Sequence, residues 1–98
     1  MFIIRESFTA KPGQASKLAK LFKEVITDNP QVQARAKSRI MTDSVASFNT
    51  VVMETEVKDL AEFESMMKEY MSRSDVRDRM KGYTEMYVTG KREIYQLI

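Results

Sequence analysis

Two carboxylates and a set of tyrosines are the side chains best placed by type and spacing to do chemistry. Glu6 sits inside the apolar run FIIRESF, residues 2–8, and Glu54 inside FNTVVMETEV, residues 48–57. A carboxylate in apolar surroundings holds its proton to higher pH, and two carboxylates sharing a dry cavity favour a proton on one of them. Such a group can take a proton from an acidic carbon or hydroxyl, a step that positioned bases accelerate by about 10²–10⁴-fold. Tyr83, Tyr87 and Tyr95 recur along the C-terminal segment. With Phe8 they offer flat apolar surface and hydroxyl groups to orient an aromatic or amphipathic molecule. The plainer alternative is that each glutamate pairs with an arginine such as Arg39 or Arg92, and that the tyrosines fill an interface. The expected ligand-binding set is therefore Glu6, Phe8, Glu54, Tyr83 and Tyr87; no catalytic residue is assigned.

Absences narrow the chemistry. The 98-residue chain has no Cys and no His, which removes thiolate nucleophiles, imidazole bases and the usual soft metal ligands. The glycines are Gly13, Gly82 and Gly90, too scattered for a phosphate cradle. No cofactor and no metal is expected. The eight methionines read as plastic packing. Sixteen basic and 14 acidic residues are mixed along the chain with no basic block, so nucleic acid is not an expected partner. No apolar run approaches the ~20 residues that span a bilayer, and the expected location is cytoplasmic.

The elements that must position these residues follow from periodicity. Residues 2–9 alternate as a strand, which sends Arg5 and Glu6 to opposite faces. After the turn AKPGQ, residues 10–14, Leu18, Leu21, Phe22, Val25 and Ile26 form one apolar stripe on a helix over about 14–28, stopped before Pro30. A polar connector, 31–37, leads to strands near 38–44 and 48–57. Asp59 with Glu62 marks the start of a second helix through about 71, and 74–82 adds a helical turn ended by Gly82. The final segment reads as a strand, broken or bulged at Thr89-Gly90. The order βαββαβ in a single domain, 1–98, predicts a ferredoxin-like α+β fold. It should have a four-stranded antiparallel sheet, strand order 4-1-3-2, with two helices on one face.

The faces then need assigning. Val51, Met53, Thr55 and Val57 should meet the helices, leaving Val52, Glu54 and Glu56 on the other side. Ile4, Glu6 and Phe8 are assigned to that outer side with Tyr83, Tyr87, Tyr95 and Leu97. A face this apolar is expected to be covered. Two sheets meeting across a two-fold axis would bury it and enclose a cavity holding Glu6 and Glu54. A homodimer is the expected assembly.

FTAKPGQASKLAKLFKEV, residues 8–25, and RIMTDSVASFNTVVMETEVKDLAEFE, residues 39–64, resemble the dimeric α+β barrel proteins. The likeness is to small uncharacterised bacterial members of the NIPSNAP-like and antibiotic-biosynthesis-monooxygenase-like groups. The resemblance implies a dimeric barrel with a small-molecule site inside. NIPSNAP-like first strands often read Glu-x-Arg-x-Tyr; here those positions are Ile4, Glu6 and Phe8. Haem-handling members use a histidine that is absent here. Cofactor-independent monooxygenases often use Asn, Trp and Arg, whereas this chain has no Trp and only Asn29 and Asn49 as asparagines. Three readings stay open: a domain binding a small aromatic or amphipathic molecule, a monooxygenase-like or isomerase-like enzyme using a barrel carboxylate, and a non-catalytic dimeric module.

Overall fold

Alternating side chains make β1, Phe2–Ala10, the centre of the sheet in the computed structural model, which describes Met1–Ile98. β3, Thr50–Val57, pairs with one edge of β1 and β4, Tyr87–Gln96, with the other, while β2, Lys37–Thr42, lies outside β3. The order β2-β3-β1-β4, antiparallel throughout, is the expected 4-1-3-2 order read from the opposite edge. Helices α1, Ala15–Phe22, and α3, Leu60–Met71, cover one face. Leu18, Phe22, Val25 and Ile26 meet Ile4, Val51, Met53 and Val57 in the core, with Phe63 and Tyr70 of α3. This is the ferredoxin-like α+β arrangement that the order of elements predicts.

Several local details depart from the periodic reading. α1 continues into a wider π-helical turn, Lys23–Thr27. The extra width displaces backbone hydrogen bonds, and side chains bond to carbonyls of the turn. The Thr27 hydroxyl donates to the Lys23 carbonyl at 3.1 Å, and the buried Tyr70 hydroxyl reaches from α3 to donate to the Val25 carbonyl. Pro30 does stop this helix, but it also starts α2, Pro30–Gln33, in the stretch expected to be a connector. Asn29 caps it by accepting from the Gln31 amide, and proline suits the first helical position, whose amide has no partner anyway. Asp59 caps α3 through the Glu62 amide, as its position predicts. α4, Ser74–Arg79, ends before Gly82, whose φ of 85° is a conformation glycine adopts without strain.

The register overturns the face assignment of β1. Arg5 lies opposite Glu54 and Glu93, whereas Glu6 lies opposite Met53 and Arg92. Directly opposed residues share a face. Ile4, Glu6 and Phe8 therefore face the helices, and Ile3, Arg5 and Ser7 the open side. With one charge on each face, alternation alone could not choose between the two orientations. The bulge lies one residue before the expected dipeptide: pairing passes from Thr9–Thr89 to Ala10–Tyr87, leaving Val88 without a partner. That extra residue reverses parity, so Tyr87 turns to the helix side while Tyr95, opposite Ile3, stays on the open side. Tyr83 moves with Tyr87, because residues Tyr83–Glu85 form a short 3₁₀ turn rather than strand.

Candidate functional site

Between the sheet and the helices lies a cleft of about 300 Å³ that contains four of the five expected site residues, Glu6, Phe8, Tyr83 and Tyr87. β1 supplies Glu6 and Phe8 as alternate residues on one face, and the bulge at Val88 brings Tyr87 to the same side. Phe8 packs on Phe22 and on Tyr87, each with ring centroids 5.0 Å apart, and Tyr83 touches both Phe22 and Tyr87 at 6.1 Å. Edge-to-face and tilted pairs at these separations are favourable and hold the rings in fixed orientations. Opposite Phe8 in the ladder is Gly90, where an added Cβ would stand 3.1 Å from the Phe8 ring, so the glycine leaves room for that ring to lie across β4.

The rest of the lining comes from residues that the sequence offered only as packing. Met53 of β3, Met67 and Met71 of α3 and Met80 close the cleft with Phe22 and Ile26. The i, i+4 spacing of Met67 and Met71 placed them on the inner stripe of α3; nothing in the sequence showed that the stripe borders a cavity.

Glu6 is the sole carboxylate in this lining. It forms no ion pair or side-chain hydrogen bond, because the facing Arg92 directs its guanidinium to Glu64 of α3 at 3.6 Å. Burial pushes the Glu6 carboxyl above the usual carboxylate range, and the positive charge of Arg92 partly opposes this. Tyr83 is likewise held in its protonated form, first by burial and then by its neighbours Tyr87 and Glu6. The arrangement offers a proton acceptor, phenol groups and a mainly apolar wall.

Glu54 is not part of it. The expectation that Glu6 and Glu54 share a cavity fails, because the two lie on opposite faces of the sheet. The arginine pairing weighed for both glutamates is found at Glu54. Arg39 donates to its Oε1 through Nη2 at 2.6 Å and Nε at 3.1 Å, and Arg5 donates to its Oε2 through Nε at 2.7 Å, with Nη2 in ion-pair contact at 2.6 Å. These bonds hold the Glu54 carboxyl below the usual range, hydrogen bonding from Arg39 outweighing the effect of burial. A depression of about 230 Å³ beside the cluster is lined by Ile3, Lys37, Ser38, Arg39, Glu54 and Glu56. The Glu54 charge there is already matched, so we read this cluster as structural and place the candidate site at Glu6.

No family profile and no curated protein matches the chain in sequence. Solved structures do match it in fold. A NIPSNAP domain protein from Burkholderia xenovorans superposes with a TM-score of 0.79 at 10% identity, over 100% of this chain and 95% of that one. A NIPSNAP family protein of unknown function from Agrobacterium tumefaciens gives 0.77 at 12% identity, over 97% and 86%. An antibiotic biosynthesis monooxygenase gives 0.71 at 10% identity, over 100% and 99%. The structural neighbours thus belong to the two groups whose resemblance the sequence carries, and at these identities they establish the ferredoxin-like α+β fold.

Proposed function

We propose that the chain binds a small aromatic or amphipathic organic molecule in the cleft beside Glu6. One observation carries this reading: a cleft of about 300 Å³ is lined by nine hydrophobic residues and a single carboxylate that no residue of the chain pairs with or hydrogen-bonds. Concave apolar walls with a few polar groups are the usual form of a small-molecule site. Strand-borne residues such as Glu6 and Phe8 hold their positions better than loop residues do. The test is a thermal-shift screen of aromatic and amphipathic compounds on wild type and on Glu6→Gln, Tyr83→Phe and Tyr87→Phe. A ligand at 100 times its Kd stabilises by about 2.7 kcal/mol. Hits whose binding changes with these substitutions support the site; hits indifferent to all three refute it.

A second reading builds on the same residue. The burial that raises the Glu6 carboxyl suits it to accept a proton from a bound carbon acid or phenol, the first step of an isomerase-like or cofactor-free monooxygenase-like reaction. Turnover of a bound hit that is lost in Glu6→Gln, with binding retained, distinguishes catalysis from binding alone.

We further propose that a second copy of the chain covers the open sheet face. Ile3, Met41, Val52 and Tyr95 share that face with Arg5, Arg39, Glu54 and Glu93. Its apolar content is lower than expected, since Ile4, Phe8, Tyr83 and Tyr87 turn to the helices. Alternating charges can still meet their opposites across a two-fold axis. No helix is long and apolar enough to cross a membrane.

A further inference from the structure

We propose that the cleft selects an organic cation, with an ammonium head against the Glu6 carboxylate and an apolar body among Phe8, Tyr83, Tyr87 and the methionines. This rests on the cleft being a ligand site and names the chemistry of its ligand. The groups that line it are of one electrostatic character. Apart from Ile26 they comprise one carboxylate, aromatic rings whose faces carry negative potential, phenol oxygens and thioether sulfurs, with no lysine or arginine among them. A carboxylate that shares its cleft with aromatic rings and thioethers attracts an ammonium and repels an anion.

The position of Arg92 strengthens the argument. It stands directly across the ladder from Glu6 and is the cation best placed to neutralise it. Instead its guanidinium lies 3.6 Å from Glu64 on the surface of α3, with both side chains about half exposed. Glu6 is left with a charge that no N–H or O–H of the chain satisfies. An unpartnered carboxylate in a partly dry site is unfavourable, and a ligand that brings both positive charge and N–H donors relieves it. A neutral ligand leaves that charge unmatched, and a carboxylate ligand adds a second like charge.

Tryptamine, tryptophol and indolepropionate share one aromatic body and differ in the charge of the head group, so they isolate this effect. Binding to the full chain is measured by calorimetry at pH 7. Tryptamine is expected to bind about tenfold to a hundredfold more tightly than tryptophol, the range of a hydrogen bond to a charged group, and indolepropionate most weakly. Glu6→Gln should bring tryptamine and tryptophol to within about threefold of each other. Arg92→Gln removes the competing cation and should tighten tryptamine, which keeps the test decisive if Glu6→Gln folds poorly. Equal binding of tryptamine and tryptophol to wild type, displaced by Tyr87→Phe, overturns the cation preference and leaves the cleft a ligand site. Weaker tryptamine binding in Arg92→Gln also overturns it, since Arg92 would then be holding the ligand. Failure of every probe to bind overturns this inference, and the thermal-shift screen then decides the cleft separately.

Discussion

Replacing Glu54 by glutamine should destabilise the fold, because one nearly buried carboxylate organises two arginines from different strands. Its side chain is 9% exposed, while those of Arg5 and Arg39 are 41% and 66% exposed. Three N–H donors meet its two oxygens within 3.1 Å, and Arg5 Nη2 adds an ion-pair contact at 2.6 Å. Breaking a fully buried ion pair costs about 3–5 kcal/mol, and an exposed one contributes about 0–1. Here the acceptor is buried but both guanidinium groups keep water, so the loss should lie between, at about 2 kcal/mol. Glutamine keeps one acceptor oxygen and turns an NH₂ towards the other guanidinium, leaving two like charges close together. A domain of this size has about 5–15 kcal/mol in total, and each kcal/mol moves Tm by about 4–8 °C. Thermal unfolding at pH 7 followed by circular dichroism should show a fall of about 10 °C. The sign of its pH dependence is set by the lowered carboxyl. Stability from Glu54 is fully present above its unfolded pKa of about 4 and is lost as pH falls through the lower folded value. The gap between variant and wild type should therefore narrow on acidification. A fall of less than about 2 °C at pH 7, or a gap unchanged in acid, would refute the reasoning.

Glu6→Gln should behave in the opposite sense. Because burial raises its folded pKa, wild type loses stability as pH rises from below about 4 through that value, with Arg92 moderating the loss and Met53, Tyr83 and Tyr87 as its other neighbours. The variant should match wild type in acid and exceed it at pH 7 in chemical denaturation; a less stable variant at pH 7 would contradict the assignment. Tyr70→Phe leaves the Val25 carbonyl without its hydroxyl donor beneath α3 and should cost about 1–3 kcal/mol in urea unfolding. Gly90→Ala places a methyl 3.1 Å from the Phe8 ring and should lower Tm and weaken binding of any cleft ligand together; a silent substitution would mean that the ring moves freely. Val52→Asp, on the open face, should shift a dimer to monomer in sedimentation while the fold survives, and an unchanged sedimentation coefficient would argue against assembly through that face.

What the sequence determined by itself is the four strands, the two main helices and their order, but not α2 or the 3₁₀ turn at Tyr83–Glu85. The stripe from Leu18 to Ile26, the Asp59 cap and the β-branched run of β3 are local signals, each written within a few residues, and the βαββαβ order then limits the topology. The same signals identified Glu6, Phe8, Tyr83 and Tyr87 as a group of interest, together with Glu54, which lies on the other face, because charged and aromatic residues in apolar runs are conspicuous. Tertiary structure decided which way those residues point. A strand with Arg5 and Glu6 side by side satisfies alternation in either orientation. The choice depends on what each face meets: Glu54 across the ladder stands ready to receive Arg5, and Phe22 of α1 to receive Phe8. One unpaired residue, Val88, then reversed the parity of Tyr87. A single inserted residue leaves almost no trace in composition yet exchanges the two faces of a strand, which is why Tyr87 joins Glu6 and Phe8 under the helices while Tyr95 stays on the open sheet.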